Sequence, residues 1–225
     1  MSEDSVNITN SSIVWAPRVR ASYSNGWKRL KQYFLELLLI TVIVIIIAVP
    51  FGIFNDDTVM IGAGAAILGF LGFAYSLLVV QPVDYGVSFA NLRAARGDKL
   101  EIKDMFEAFK NYVNVVLANV LAGAIIVIGL VLLIVPGIIF ACKLAFVPYL
   151  VVDRKLEAIE AVKESWRMTG GYAWKIFLIG LLAIPISIAG LICFGVGIIF
   201  AVMWINLAFA SLYHAVSSVD QSPSN

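Results

Sequence analysis

Long apolar runs separated by short polar segments dominate the pattern of this chain. Uncharged stretches cover residues 37–54, 58–83, 111–142 and 176–219. The last can cross a bilayer twice, since one helical crossing takes about 20 residues. The runs lack the alternation of a membrane β-strand, so helices are expected. The pattern predicts an all-α polytopic bundle with six transmembrane helices, at about residues 34–54, 58–80, 111–134, 138–152, 172–193 and 196–217.

Prolines and glycines mark the breaks between these runs. Pro136 and Gly137 predict the tip between the third and fourth spans, and Gly195 with Gly197 predicts the tip between the fifth and sixth. Pro148 lies inside the short fourth span, where it removes a backbone donor and favours a kink or a break.

A repeat underlies the second half of the chain. Shifting residues 106–153 by 60 positions aligns Gly-Ile-Ile-Phe-Ala at 137–141 with the same five residues at 197–201. Residues 27–54 form a fainter third copy. The repeat predicts three hairpins in one orientation, each preceded by an amphipathic segment on the cytoplasmic side.

Two further expectations concern the second span and the residues after it. The second span carries small residues at spacings that allow another helix to approach closely, which predicts that it is buried in the bundle. The segment 91–104 is polar and charged, and we expect it to be the most solvated part of the protein.

Composition and charge narrow the class and the orientation. With 61% hydrophobic and 14% charged residues, the chain fits a membrane protein and no soluble class. The basic residues are concentrated in every second loop. By the positive-inside rule this predicts an inner-membrane protein with both termini in the cytoplasm. Residues 1–17 and 218–225 are predicted to be disordered tails around one membrane domain, 18–217. Fifteen of the sixteen basic residues fall into three groups of five: Arg18, Arg20, Lys28, Arg29 and Lys31; Arg93, Arg96, Lys99, Lys103 and Lys110; Arg154, Lys155, Lys163, Arg167 and Lys175.

Lys143 is the sixteenth basic residue and lies inside an apolar span. An intramembrane charge is by default a functional hypothesis. About 8 Å inside the span, Lys143 could extend to the outer headgroups, pair with carbonyls released at Pro136, or bind an anionic lipid headgroup. Asn119 and Asn206 are the other candidate lipid or ligand contacts, although asparagines in spans more often bond between helices.

Groups that carry catalysis are scarce. The chain has no nucleotide-binding glycine loop, no CxxC, HExxH or GxSxG motif, and one histidine, His214. The predicted spans place no Asp or Glu near the membrane centre. We therefore expect no enzyme activity, no metal, no cofactor and no carboxylate-based ion coupling.

The segment from Arg154 to Met168 predicts an amphipathic helix that Asp153 caps. Its less polar side is a candidate surface for docking a partner or for covering the bundle. The candidate docking residues are Leu156, Ile159, Ser165, Trp166 and Thr169.

A set of short motifs resembles a large group of poorly characterised prokaryotic integral membrane proteins. It comprises Ile134-Val135-Pro136-Gly137, Lys143, Pro148, Val151-Val152-Asp153, Ala158-Ile159, Ser165-Trp166, Thr169-Gly170 and Trp174. It is also similar to the membrane domain fused to some glycerophosphoryl diester phosphodiesterases. The resemblance implies a six-helix membrane domain, without the phosphodiesterase chemistry, because the soluble catalytic barrel is missing.

These observations favour a scaffold, or a binding partner of another membrane component. The alternative is a transporter or a lipid-handling protein that uses the interrupted fourth and fifth spans. The expected partners are membrane lipids, with another membrane protein or a second copy of the chain as further possibilities, and no nucleic acid.

Overall fold

The computed structural model describes residues 17–54, 63–192 and 196–221. Within these ranges the fold is all-α, as predicted. The described helices are α1 Val19–Gln32, α2 Phe34–Phe54, α3 Ala63–Tyr75, a π-helical turn Ser76–Val80, α4 Gln81–Arg96, a 3₁₀ helix Ile102–Asn111, α5 Tyr112–Leu132, α6 Ile134–Leu144, α7 Val147–Asp153, α8 Ala158–Met168, α9 Ala173–Ile192 and α10 Val196–Gln221.

Five described helical segments are long and apolar enough to cross a membrane, and there are six if the bent pair α1 and α2 counts as one. α1 and α2 meet at 92°, so α1 lies across the end of the bundle while α2 runs along it. The five segments are Ala66–Arg96, Ile102–Leu132, Ile134–Asp153, Ala173–Ile192 and Gly197–Asp220.

The predicted pattern of an amphipathic segment followed by a hairpin recurs. α1 precedes α2, the 3₁₀ helix precedes α5, and α8 precedes α9. Gly137 and Gly197, which the repeat aligns, both lie at close helix contacts: Gly137 faces Leu130, and Gly197 faces Gly190. The superposition of the two hairpins stays a prediction.

The bundle has a packed half and an exposed half. The packed half consists of α1, α4, the 3₁₀ helix, α7, α8 and the second part of α10; among its fully buried side chains are Leu92, Met105, Leu150, Leu212 and Tyr213. The exposed half presents apolar side chains from α2, α3, α6, α9 and the second part of α5. Such a surface matches a lipid solvent rather than water.

Charged pairs gather in the packed half, which we call the basic end. Arg96 donates two hydrogen bonds to the Asp153 carboxylate, at 2.7 Å each. Asp153 also accepts from Tyr213 Oη at 3.1 Å. The prediction that Asp153 caps the following helix is wrong, since α8 begins after Glu157. Arg96 belongs to the second basic group, and Asp153 directly precedes Arg154 of the third. The pair therefore brings two of the three basic groups to one end of the bundle.

The expectation of a solvated loop at 91–104 is also wrong. α4 continues to Arg96, and Leu92 and Ala94 are fully buried. Gly86 permits this burial, because the backbone of Met105 occupies the place of a β-carbon there. α4 ends at Gly97, which adopts the left-handed conformation with φ 89°.

The second span is not buried, contrary to the prediction. An ideal β-carbon on Gly69 meets nothing within 4 Å, and Phe70 is 70% exposed. Only 17% of the most apolar window of Ala66–Arg96 is buried. The small residues of α3 leave an open face, because its described neighbours are α2 and the π-helical turn.

The break between α5 and α6 lies earlier than predicted. Leu133 is the extended residue, with φ −170° and ψ 152°, while Pro136 and Gly137 belong to the first turn of α6. Proline is tolerated there because first-turn N–H groups have no helical partner. Gly197 likewise lies in the first turn of α10, not in a break.

The fourth span is broken, as Pro148 suggested. α6 ends at Leu144 and α7 begins at Val147. Because proline has no N–H, the carbonyl four residues before it, that of Leu144, loses its helical donor. The span therefore carries, near its middle, a carbonyl without its i+4 helical donor.

The predicted disorder of residues 218–225 is wrong for 218–221. α10 continues to Gln221, and Asp220 pairs with Arg167 at 2.8 Å. Residues 1–16 and 222–225 of the predicted tails, and Gly195 of the predicted tip, lie outside the described residues.

Candidate binding site at Lys143

α8 packs against the break between α6 and α7 through two hydroxyl groups. Ser165 Oγ donates to the backbone carbonyl of Lys143 at 2.8 Å, and Thr169 Oγ1 does so at 3.1 Å. Both side chains are fully buried. Ser165 and Thr169 therefore hold the end of α6 and present no docking surface, which corrects that prediction.

The rest of the predicted docking set is divided between core and surface. Leu156 packs against the core cluster, Ile159 is 60% exposed and Trp166 is 40% exposed. Trp166 is in turn engaged within the chain, because its ring lies 5.5 Å from that of Phe140. Of the five candidates, Ile159 offers the most open side chain.

The Lys143 ammonium lies beside the turn between α8 and α9. Its Nζ is 5.7 Å from the centre of the Trp166 ring and 3.9 Å from the position of a β-carbon on Gly170. Among the described residues, no carboxylate pairs with Lys143. Its charge is balanced only by an aromatic face, a weak interaction at an exposed site.

This position corrects the expected depth of Lys143. It is the second-last residue of α6, about 14 Å along the helix from Ile134. It faces the turn that leads to Trp174 and Lys175, at the basic end, and not the hairpin tip. Lys143 therefore lies beside aromatic and basic residues, which are typical of a membrane interface.

An apolar groove opens next to Lys143, between α6 and α9. Its volume is 410 Å³, within the range of about 300–1,000 Å³ that small-molecule pockets occupy. Trp174 and Phe177 stack at 5.2 Å and form its wall on α9. Cys142, the residue before Lys143, belongs to its lining together with Ala173. The lining residues are Val135, Ile138, Ile139, Cys142, Ala173, Trp174 and Phe177.

The other two candidate ligand contacts lie elsewhere. Asn119 lines a separate cavity of 280 Å³, which it shares with Gln81, Asp84 and Ser88 of α4. Asn206 is half-buried on α10 and lines neither cavity. The structure therefore does not bring Lys143, Asn119 and Asn206 together.

Gln81, Asp84 and Ser88 were missed because the second span was predicted to end at residue 80, before Pro82. The helix continues through a π-helical turn, where the N–H of Gln81 bonds to Ser76. The carbonyl of Leu78, four residues before Pro82, accepts from Tyr112 Oη at 2.8 Å instead. The predicted span ended two residues before Pro82. Only the tertiary structure shows that Tyr112 supplies the donor that this proline removes.

Residues 118–220 match the model of a family described as "Protein of unknown function (DUF975)". The match begins within α5 and ends within α10, so it includes Lys143, the apolar groove and α8. Neither the curated proteins nor the solved structures contain a match. The similarity to the phosphodiesterase membrane domain stays a prediction. The second and third hairpins of this chain are thus similar to an uncharacterised family, in agreement with the resemblance found in the motifs.

Proposed function

We propose that this chain is a multi-pass membrane protein that binds an anionic lipid in the groove between α6 and α9. One observation carries the proposal: the ammonium of Lys143 has no described carboxylate partner, and Cys142, the residue before it, lines an apolar groove. A lipid matches both features, because its acyl chain suits the apolar walls and its phosphate suits the ammonium. Charge attraction is stronger near lipid than in water.

The surroundings of Lys143 support a headgroup at this place. Gly170 and Gly171 carry no side chains, and an ideal β-carbon on Gly171 meets nothing within 4 Å. A headgroup can therefore approach the backbone of the turn. Lys175 adds a second positive charge on the same turn, with its Nζ 4.7 Å from the centre of the Tyr172 ring. Basic residues close to a bilayer attract anionic lipids by about 1 kcal/mol each.

The proposal includes the orientation and the class of the protein. The basic loops would face the cytoplasm at the inner membrane, in line with their charge, and the protein would act by binding rather than by catalysis. The sequence analysis left a lipid-handling protein as an alternative to a scaffold, and the apolar groove favours that alternative.

A scaffold remains the second candidate function. It is favoured by Ile102, Phe106 and Phe109 of the 3₁₀ helix, which are 37%, 45% and 40% exposed in the packed half. Under this function, Phe106→Ala would remove a co-purifying membrane protein and leave the lipid content unchanged.

Lipid content measured by mass spectrometry tests the first proposal. Wild-type protein purified in mild detergent should retain phosphatidylglycerol or cardiolipin, and Lys143→Ala should retain several-fold less. Lys163→Ala is the matched control, because Lys163 is an exposed lysine of α8 that lies outside the groove. Ala173→Leu narrows the groove without altering charge and should also reduce the retained lipid. Equal retention by wild type and Lys143→Ala would refute the proposal.

A further inference from the structure

The second cavity, of 280 Å³, lies between α4, α5 and the break in the fourth span. The wall at the break is formed by Ala141, Leu144, Ala145 and Pro148, positions i, i+3, i+4 and i+7, which share one helical face. Lys143 lies on another face of this segment. The cavity is therefore separate from the groove proposed to hold an anionic lipid.

Polar groups converge on this cavity from two helices. Gln81, Asp84 and Ser88 are at positions i, i+3 and i+7 and share one face of α4, while Asn119 belongs to α5. Ser88 Oγ donates to the backbone carbonyl of Asp84 at 3.0 Å, so its own lone pairs remain available. The cavity also borders Leu144, whose carbonyl lost its helical donor to Pro148.

The Asp84 carboxylate has no ion pair within the described parts of the chain. Asp84 is exposed and lines the cavity, so its carboxylate is open to a ligand. Acidic residues in membrane helices are rare and typically functional. The cavity thus combines one negative charge with several neutral acceptors.

Asp84 lies where a ligand can reach it from water or from the headgroups. It is 21 residues beyond Ala63, the first residue of α3. This is about 32 Å of helix, close to the roughly 30 Å thickness of the hydrocarbon core. The cavity therefore opens near the interface on the side of the basic loops.

The volume of the cavity indicates which kind of cation could fill it. A water molecule takes about 30 Å³ of liquid, so 280 Å³ greatly exceeds a bare metal ion. The described residues also offer no group of three metal-binding side chains. Ile126, Ala145 and Val147 provide apolar walls beside the polar ones, and these suit the carbon atoms of an organic cation.

We propose that this cavity binds a primary ammonium group carried on a small organic moiety. The Asp84 carboxylate balances the charge, and the side-chain oxygens of Gln81 and Asn119 accept N–H bonds. Two sources share this chemistry: the headgroup of phosphatidylethanolamine, and a free amine such as ethanolamine. The site does not depend on Lys143.

The test uses the full chain in nanodiscs of phosphatidylcholine, with and without phosphatidylethanolamine. After extraction, native mass spectrometry counts the lipid retained per protein, and titration with ethanolamine measures competition. Asp84→Asn should lower phosphatidylethanolamine retention at least tenfold. Glu36→Gln is the matched control, because it removes a carboxylate from the first turn of α2 and should leave retention unchanged.

Gly123→Leu provides a second variant that alters no polar group. Gly123 lines the cavity, and an ideal β-carbon there meets nothing within 4 Å, so a leucine at this position can extend into the cavity. Both variants should keep the wild-type melting temperature in detergent within a few degrees and lose retention.

The outcomes separate the two sources. Displacement of the lipid by millimolar ethanolamine shows that the ammonium alone suffices, while retention without displacement assigns the site to the lipid. Three results would overturn the proposal: wild type that retains neither ligand, Asp84→Asn that retains as much as wild type, or equal retention of phosphatidylcholine, whose trimethylammonium donates no N–H bond.

Discussion

Gly86→Ala tests the close contact that buries the second half of α4. An ideal β-carbon on Gly86 lies 2.5 Å from the carbonyl carbon of Met105 and closer still to its oxygen. Ordinary contact begins near 3.4 Å. Because the opposing atoms are backbone, no side-chain rotation can relieve the clash. The 3₁₀ helix must therefore move away from α4 until the Met105 carbonyl oxygen reaches ordinary contact distance.

The expected loss of stability in Gly86→Ala is the difference between two opposing effects. Inserting a methyl group into a packed contact costs about 3 kcal/mol, and replacing glycine by alanine within a helix returns about 1 kcal/mol. The net loss of about 2 kcal/mol should lower the melting temperature by about 4–8 °C in a chain of this size. Met105 and Leu92, both fully buried, would lose contacts.

Thermal unfolding in detergent, followed by intrinsic tryptophan fluorescence, measures the effect. Gly69→Ala is the control, because its added methyl group meets nothing within 4 Å and should leave the melting temperature unchanged or slightly higher. A Gly86→Ala protein that melts within 1 °C of wild type would refute the argument. A strong destabilisation by Gly69→Ala would show instead that α3 is packed against a partner.

Three further predictions concern the basic end and the tip between α5 and α6. Asp153→Asn breaks the two-bond pair with Arg96, whose partners are 12% and 27% exposed; it should cost about 2 kcal/mol, and an unchanged melting temperature would contradict this. Two hydrogen bonds from Arg167 lower the pKa of Glu164, so its stabilising contribution is present above the unfolded pKa of about 4.3 and is lost as pH falls through the lower folded pKa. The melting temperature of wild type should therefore fall more steeply between pH 6 and 3 than that of Glu164→Gln, and parallel curves would exclude the linkage. A single cysteine at Leu133, which is 69% exposed at an apolar tip, should react with a membrane-impermeant maleimide only after detergent is added, because α6 extends only about 14 Å beyond the interface; labelling of intact vesicles from outside would place the tip in water.

The candidate sites show where sequence reasoning reached its limit. Lys143 was recognised from the sequence because one charge in an apolar run has a large energetic cost. The structure places Lys143 beside the turn between α8 and α9 and not at the hairpin tip, because α6 begins at Ile134 and ends at Leu144. Asp84 was missed because the second span was predicted to end at residue 80, although the helix continues past Pro82 and Tyr112 supplies the donor that the proline removes.

The sequence by itself determined the all-α class, the presence of several long apolar helices and the grouping of the basic residues along the chain. These features depend on local properties: the length of an apolar run and the charge of a loop. Only the tertiary structure decided which polar groups satisfy each other across helices: Arg96 with Asp153, the hydroxyls of Ser165 and Thr169 with the carbonyl of Lys143. It also decided which glycines allow backbones to touch. Such contacts join residues far apart in the chain, and no period or composition of a single segment encodes them.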